Sequence, residues 1–295
     1  MTDAMAGMRP RVSVIIIVYN GAAFLAEAID SVRAQSLSDW ELLVVDDGST
    51  DSSREIAASY AKADPARVKL LRHPGGRNHG MSATRNLGLS RARGDFVAFL
   101  DADDTWTPDK LETQVAILDA HPSAGMAYGR ALIWQSWRPG PQPKDFFYDL
   151  GVTPDRIYHP PHLFFIQLPN VYQTPTTGGS LIRRSLIDRI GGFEPQFRGM
   201  FEDQVFHAKV MLSAPVFVSD KLCLNYRQHP GSTTAISASM GRDERAHLRY
   251  LLWLASYLLR TGNLRPLPAV LKTIWRVSDA KARLRRVASR WARGA

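Results

Sequence analysis

Three aspartates follow a short apolar run, and their types and spacing suggest chemistry. The uncharged run over residues 96–100 leads into Asp101, Asp103 and Asp104. A run without charges predicts a strand that is covered on both faces. Carboxylates packed at its end repel one another, so a site that keeps them needs a counter-cation or raised pKa values. Mg²⁺ or Mn²⁺ is the usual cation for hard oxygen ligands beside a phosphate. For a lone Asp-x-Asp, a solvated turn would be the more common explanation.

A second acidic strand end lies upstream and favours the metal-site explanation. The apolar residues 42–45 are followed by Asp46, Asp47 and Gly48. Gly48 permits a tight turn, and a polar residue among 49–51 can cap the next helix. Such a turn and helix cap account for residues 49–51 but not for both Asp46 and Asp47. Ligands of doubly wound sheets bind outside the carboxyl ends of the strands, so two acidic strand ends predict a nucleotide site.

Strand and helix patterns alternate along the first 120 residues. The predicted strands are Val12–Val18, Glu41–Val45, Val68–Leu71 and Phe96–Leu100, and the predicted helices are Ala22–Ala34, Ser52–Lys62, Ser82–Arg91 and Pro108–Ala120. This alternation predicts an α/β fold with a doubly wound, mostly parallel sheet. The glycines at 75, 76 and 80 match neither a dinucleotide fingerprint nor a P-loop, which argues against dehydrogenases and P-loop kinases. A metal at Asp101–Asp103 is then the expected means of holding a diphosphate.

Two later segments are less regular. Residues 130–177 are rich in proline and aromatic side chains, most of which we expect in the core, with one or two as acceptor contacts. The aromatic residues are Trp134, Trp137, Phe146, Phe147, Tyr148, Tyr158, Phe164, Phe165 and Tyr172. Glu202 and Asp203 then open a helical pattern that runs to Leu212. Acids in a first helical turn complement the helix dipole, so a capping role alone would explain this pair.

The composition is that of an ordinary globular protein of 295 residues, with 45% hydrophobic and 22% charged residues. Its single cysteine, Cys223, excludes an internal disulfide framework and fits a reducing compartment. Residues 1–10 lack the apolar core of a signal peptide. The longest apolar run, residues 250–259, is far short of the roughly 20 residues that span a bilayer. We therefore expect a cytoplasmic protein that spans no membrane.

The net charge of +9 is concentrated at the C-terminus. Residues 241–295 hold 13 Lys and Arg against 3 Asp and Glu, a net of +10, which leaves the rest near neutral at −1. A nucleic-acid enzyme would carry such charge around its cleft, so we expect no nucleic-acid partner. Apolar residues recur at helical spacing in 244–260 and 271–293. Packing on the catalytic domain and docking on an anionic membrane both explain this pattern; we assign packing to 244–260 and membrane contact to 271–295.

Six motifs in order resemble the family 2 glycosyltransferases, which have the A-type nucleotide-sugar fold. The motifs are VIIIVYN (14–20), VVDDGSTD (44–51), TRNLG (84–88), DADD (101–104), GGS (178–180) and ED (202–203). Each is weak alone, but their order across about residues 12–213 is specific. The resemblance implies a nucleotide-sugar-binding half over 1–125 and an acceptor and catalytic-base half over 126–240. The basic helical tail over 241–295 lies outside it.

The resemblance also implies which residues bind the donor nucleotide. Tyr19 would lie near the nucleobase at the end of the first strand. Asp47, in preference to Asp46, would accept a hydrogen bond from the base ring N–H. Arg85 would contact the nucleotide, and Asp101 would approach the ribose.

The metal and the acceptor have their own implied residues. Asp103 would ligate the divalent ion, and His229 lies where relatives often carry a further metal or diphosphate ligand. Asp203 would be the general base, and Glu202 would help to hold the acceptor. The expected function is therefore an inverting, Mg²⁺- or Mn²⁺-assisted transfer of sugar from a nucleoside diphosphate, uridine by default, to a hydroxyl of a saccharide or lipid-linked acceptor.

Two other functions stay open at this point. A sugar nucleotidyltransferase would share the nucleotide-binding fold and the metal carboxylates, but it should carry a glycine-rich, basic loop after the first strand. Residues 19–23 (YNGAA) show no such loop. A non-catalytic scaffold on the inner membrane surface would use only the basic tail. Such a scaffold would not need four carboxylates in the positions that the resemblance assigns to the site.

Overall fold

The computed structural model describes residues 9–173, 175–233, 235–236 and 243–278. The strands are β1 (Val12–Val18), β2 (Trp40–Asp46), β3 (Val68–Arg72), β4 (Phe96–Asp101), β5 (Thr105–Trp106), β6 (Met126–Trp134), β7 (Arg156–Tyr158), β8 (Ser180–Arg183) and β9 (Val216–Arg227). The helices are α1 (Leu25–Arg33), α2 (Ser53–Ala63), α3 (Met81–Leu89), α4 (Lys110–Ala120), α5 (His162–Gln167), α6 (Arg184–Ile190), α7 (Glu202–Ser213) and α8 (Asp243–Thr261). Helical backbone is present again over residues 267–278.

The first four strands form the expected parallel, doubly wound half of the sheet. Their spatial order is β3-β2-β1-β4, and each neighbouring pair is parallel. The chain order reverses between β1 and β4, which is where doubly wound sheets bind ligands. Val18 at the end of β1 pairs with Asp46 on one side, and Ile17 pairs with Asp101 on the other. The two acidic strand ends therefore lie on the same edge of the sheet, as the sequence predicted, with β1 between them.

Burial on both faces explains why these strands lack charged residues at their centres. All seven residues of β1 are buried. Ile15 and Ile17 contribute to the apolar cluster on one face, and Val14 and Ile16 contribute to the cluster on the other face. The alternation of side chains along a strand assigns successive residues to opposite layers of helices.

The remaining strands extend the same sheet in mixed orientation. Among the described residues the sheet has nine strands in the order β3-β2-β1-β4-β8-β6-β9-β5, with β7 beside β9. Strand β8 is antiparallel to both β4 and β6, whereas β6 and β9 are parallel. Pairing of β8 with β4 joins the part before residue 125 to the part after it. The prediction of a parallel sheet is thus confirmed for β1 to β4, and the remaining strands pair in mixed orientation.

The prediction that most aromatic side chains of the segment 130–177 lie in the core is wrong. Phe164 is buried, but an exposed group comprises Phe146, Phe147, Tyr148, Phe165 and Tyr172. Phe146 pairs with Ile133 by a single bridge at the end of β6. Because that bridge covers only one side of the segment, neighbouring rings point to solvent.

The first part of the tail packs as expected. Helix α8 buries Tyr250, Leu251, Leu254 and Leu258 in the larger apolar cluster. Residues 279–295 of the predicted membrane-contacting segment lie outside the described residues. Across the described ranges, no helix has both the length and the apolar character that crossing a bilayer requires.

Candidate active site

Two aspartates organise the carboxyl end of β2. Asp46 accepts a hydrogen bond from the Ser49 amide on Oδ1 (2.9 Å) and forms an ion pair through Oδ2 with Arg72 Nε (3.1 Å). Asp47 accepts from the amides of His79 (2.7 Å) and Gly80 (2.9 Å), one on each carboxylate oxygen. Asp46 therefore holds its own turn, and Asp47 holds the loop that leads into α3.

This loop restricts how Asp47 can meet a nucleobase. Asp47 is 4% exposed, and Gly80 adopts φ +88°, a left-handed conformation that favours glycine. A carboxylate oxygen has a second lone pair, so a base N–H can still bind where the loop leaves room. Tyr19, at the end of β1, is 53% exposed and is available for stacking on a base. The nucleobase roles of both residues stay predictions.

Arg85 connects the end of β4 to the first turn of α7. Its Nη2 donates to Asp101 Oδ1 at 2.6 Å, and its Nη1 donates to Glu202 Oε1 at 2.7 Å. The guanidinium is buried, and it lies 5.2 Å from the ring centroid of Phe193. Two carboxylates keep the pKa of Arg85 above its ordinary value although burial alone would lower it. The planar fork of an arginine suits this two-carboxylate geometry, which an ammonium group would not reproduce.

The predicted metal residues meet in space although they are far apart in sequence. His229 Nε2 lies 3.0 Å from Asp103 Oδ2. The side chain of Asp103 is 33% exposed, so part of it is open to solvent. Within the described residues, no group of three or more His, Cys, Asp or Glu side chains is arranged to hold a metal ion. Any ion bound here would need additional ligands from a substrate or from water.

Asp203 lies in the first turn of α7 beside Glu202. Burial raises the pKa of the Asp203 carboxyl to about 7, and the charge of Glu202 adds to the increase. Gln204 donates its amide to Asp203 Oδ1 at 2.7 Å, and the positive charge of Arg85 also opposes the increase. A carboxylate with a pKa near the working pH is suited to general base catalysis. Phe201, which directly precedes Glu202, has φ +71°, an uncommon backbone conformation for a residue with a bulky side chain.

Comparison with known proteins identifies the chain. The family model described as glycosyl transferase family 2 matches residues 13–191. The uncharacterized glycosyltransferase alr2836 of Nostoc sp. is 30% identical over 242 residues, which are 79% of this chain and 69% of that protein. The chain belongs to glycosyl transferase family 2.

Another relative of this family 2 glycosyltransferase is the putative teichuronic acid biosynthesis glycosyltransferase TuaG of Bacillus subtilis. It is 39% identical over 136 residues, which are 46% of this chain and 52% of TuaG. The chain thus spans about half of TuaG and about two thirds of the Nostoc relative.

Two solved structures confirm the A-type glycosyltransferase fold. Residues 1–349 of S. aureus TarS in complex with UDP-GlcNAc superpose with a TM-score of 0.62 at 23% identity, covering 82% of this chain and 66% of that one. The mannosyltransferase PcManGT of Pyrobaculum calidifontis, in complex with GDP-Man and Mn²⁺, gives 0.59 at 20% identity, covering 97% and 81%. At these identities the likeness establishes the fold alone.

Arg227, which the sequence did not single out, organises the surroundings of Asp103 in this family 2 glycosyltransferase. Its Nε donates to the Asp103 carbonyl (2.7 Å), and its amide donates to Asp104 Oδ1 (2.8 Å). Its guanidinium also binds Glu27. Three rings surround it at 4.5–4.9 Å and are those of Phe24, Trp134 and Trp137. The signal was present in the motif YRQH (226–229), where Arg227 is two residues from His229.

Asp104 is the third aspartate at the end of β4. It is 2% exposed, and its pKa is raised first by burial and then by the charges of Asp103 and Asp101. Asp104 therefore supports the DADD motif from within and is not open to a ligand. The carboxylates available for ligand binding at this edge are those of Asp101 and Asp103, each with a third of its side chain exposed.

Proposed function

We propose that the chain is an inverting glycosyltransferase that moves a sugar from a nucleoside diphosphate to an acceptor hydroxyl. The observation that carries this proposal is the Asp101–Arg85–Glu202 bridge. It joins the carboxylate end of β4, where a nucleotide would bind, to the first turn of α7, where Asp203 has a pKa suited to a base. Donor and acceptor groups would thereby be held on opposite sides of one reacting carbon.

We assign the donor site to the carboxyl ends of β1, β2 and β4. Tyr19 and Asp47 would meet the nucleobase, Asp101 the ribose, and Arg85 would fix the position of Asp101. We propose a uridine donor, in keeping with the UDP and UDP-GlcNAc complexes of TarS. PcManGT was solved with GDP-Man, so it supports a nucleoside diphosphate sugar as the donor but does not support uridine as the base.

Asp103 and His229 fit the divalent ion that the family implies. A carboxylate oxygen and an imidazole nitrogen 3.0 Å apart can ligate one ion, and diphosphate oxygens and water would complete the coordination. Bound there, Mg²⁺ or Mn²⁺ would neutralise charge on the leaving diphosphate. The Mn²⁺ complex of PcManGT supports this assignment. Arg227 would keep Asp103 in place through its bond to the Asp103 carbonyl.

Asp203 would act as the general base in a single displacement. Its ionised carboxylate takes the proton of the acceptor hydroxyl while that oxygen forms the bond to the anomeric carbon. The bond from that carbon to the diphosphate oxygen breaks on the opposite face, so an α-linked donor gives a β-linked product. Glu202, whose Oε1 is held by Arg85, would present its other oxygen to the acceptor.

The acceptor that we propose is a saccharide or a lipid-linked saccharide of the cell envelope. The teichuronic acid pathway in the name of TuaG supports a polysaccharide product. The exposed rings of Phe146 and Tyr148, with centroids 5.2 Å apart, offer flat apolar surface to a sugar. The sequence resemblance assigns Glu202 to the same acceptor.

A sugar nucleotidyltransferase is the second candidate that the sequence left open. Membership of family 2 argues against it, as does the lack of a glycine-rich loop at residues 19–23. Product analysis separates the two functions. A glycosyltransferase releases a nucleoside diphosphate from a nucleotide sugar, whereas a nucleotidyltransferase releases pyrophosphate from a nucleoside triphosphate and a sugar phosphate. We expect the first product only.

We further propose that the tail holds the enzyme on the inner face of a membrane. Leu271 and Trp275 are exposed one helical turn apart, and Trp275 is 65% exposed. Basic residues lie around them at Arg265, Lys272 and Arg276. An interfacial tryptophan with neighbouring cations is typical of helices that lie on anionic bilayers. A lipid-linked acceptor would then be brought close to the site.

Trp275→Ser is expected to weaken binding to anionic vesicles because it removes apolar surface from the docking face. The measurement is co-sedimentation of the full chain with phosphatidylserine-containing vesicles at low and high salt. Val171→Ser, at an exposed apolar residue outside the tail, should sediment like wild type. Membrane docking is contradicted if wild type does not sediment, or if sedimentation is insensitive to salt and to Trp275→Ser.

A further inference from the structure

Two tryptophans three residues apart contact Arg227. Trp134 is the last residue of β6, and Trp137 follows it in the next loop. The guanidinium carbon of Arg227 lies 4.5 Å from the ring centroid of Trp134 and 4.9 Å from that of Trp137. Both distances are within the range of a cation–π contact. These rings therefore hold the same guanidinium that donates to the Asp103 carbonyl at 2.7 Å.

The two tryptophans also hold the backbone directly before His229. The indole Nε1 of Trp137 donates to the Gln228 carbonyl at 2.8 Å, and the Gln228 amide donates to the Trp134 carbonyl at 3.0 Å. The Trp137 ring meets the Phe24 ring edge-on at 5.5 Å, and the Phe24 ring lies 4.8 Å from that of His229. Trp137 is thus linked to His229 through the backbone and through a neighbouring ring.

The turn that carries Trp137 is itself anchored. Asp145 Oδ1 accepts from the amides of Gln135 (2.7 Å) and Ser136 (2.9 Å), and its Oδ2 accepts from the Ser136 hydroxyl (2.6 Å). Trp137 is partly exposed, so burial in the core does not explain its several contacts. What these contacts share is that they lead to Asp103 and His229.

We propose that Trp137 is a positioning residue for the two side chains that would ligate the divalent ion. It acts on Asp103 through Arg227, and on His229 through the Gln228 carbonyl. This inference rests on the metal site proposed above. Groups that orient metal ligands without touching the ion typically change metal affinity by 10–100-fold when they are replaced. The loop after β6, which belongs to none of the six motifs, would thereby serve the site.

Trp137→Phe keeps an aromatic ring and removes the indole N–H that binds the Gln228 carbonyl. We expect the dissociation constant for Mn²⁺ to rise about 10-fold, the lower end of the range for such residues. The measurement is titration of Mn²⁺ followed by electron paramagnetic resonance, with the full chain and UDP, against UDP alone as the blank. UDP stands in for the leaving diphosphate. Equal Mn²⁺ affinity of Trp137→Phe and wild type would overturn the inference.

The dependence of turnover on Mn²⁺ separates positioning of the ligands from general damage to the fold. In Trp137→Phe the Mn²⁺ concentration that gives half the maximal rate should rise about 10-fold. The rate at saturating Mn²⁺ should return close to that of wild type, because Asp203 and the donor carboxylates are untouched. A rate that stays low at saturating Mn²⁺ would contradict a role confined to the metal ligands.

Trp40→Phe is the matched control, because it makes the same substitution beside another arginine. The Trp40 ring centroid lies 4.3 Å from the guanidinium carbon of Arg67, and its Nε1 has no hydrogen-bond partner among the described residues. Trp40 begins β2, whereas the site residue Asp46 ends it. This variant should bind Mn²⁺ as wild type does.

A measurement on the metal-free protein distinguishes failure of this inference from failure of the metal site. Loss of the Trp137 hydrogen bond should speed hydrogen exchange at the amides of Arg227 and Gln228, whereas Trp40→Phe should leave it unchanged. If wild type binds no Mn²⁺ beyond the UDP blank, the proposed metal site fails. Exchange at these two amides then still decides whether Trp137 holds the segment, and unchanged exchange would overturn that role.

Discussion

Asp203→Asn is expected to lower turnover by roughly 10²–10⁴-fold, the range typical of a lost general base. The amide cannot take the proton of the acceptor hydroxyl, but it has nearly the same size. Donor affinity should therefore stay close to that of wild type, because the donor contacts that we propose lie at the ends of β1, β2 and β4. The measurements are initial rates with saturating donor and acceptor, and donor binding by calorimetry.

The pH dependence of wild type gives a further check on the same residue. Because the pKa of Asp203 is raised to about 7, turnover should increase as pH rises to that value and then reach a plateau. Asp188→Asn, an exposed acid on α6, is the matched control and should retain both rate and profile. A variant at Asp203 that loses donor binding but keeps its turnover would remove Asp203 from the role of base.

Arg85→Met should be the most disruptive single change to the site. It leaves Asp101 and Glu202 without their shared cation, and breaking a buried ion pair on one side costs roughly 3–5 kcal/mol. Because a third of the Asp101 side chain is exposed, we expect about 3 kcal/mol, the lower end of that range. Turnover should also fall, since both sides of the reacting carbon lose their common support.

Thermal unfolding and kinetics measure the two effects of Arg85→Met separately. Loss of about 3 kcal/mol corresponds to a decrease in melting temperature on the order of 5–10 °C. Arg85→Lys should recover part of the stability but little of the turnover, because one ammonium cannot bind both carboxylates in the same geometry. Arg91→Met, at an exposed arginine just beyond α3, serves as the control. Full activity of Arg85→Met would contradict the bridging role.

The sequence was sufficient to predict the first four strands because their signal is local. Short, mostly apolar runs ended in acids or turns, and each strand lies within one residue of its predicted bounds. The shared sheet edge of Asp46 and Asp101 followed from the rules of parallel sheets. The proximity of Asp103 and His229, in contrast, depended on the family resemblance, because 125 residues separate them in the chain.

The sequence could not show which side chains meet across elements that lie far apart in the chain. Arg85 was assigned to the nucleotide, but its guanidinium is occupied by two carboxylates from distant elements. The exposed rings of the segment 130–177 had the composition of a core, yet Phe146 joins the sheet only through a single bridge to Ile133. Phe201, directly before α7, stacks on His247 and Tyr250 of α8, which lie outside the resemblance and belong to no motif.

Metal-dependent binding of a nucleotide sugar tests the central claim most directly. Wild type and Asp103→Asn would be unfolded thermally with a panel of nucleoside diphosphate sugars, in Mg²⁺ or Mn²⁺ and in EDTA. A donor at 100 times its Kd should stabilise wild type by about 2.7 kcal/mol in the presence of the ion. We predict such stabilisation by at least one donor, a uridine diphosphate sugar foremost, and its loss in EDTA and in Asp103→Asn. No stabilisation by any donor, or equal stabilisation of Asp103→Asn with the ion present, would contradict the account.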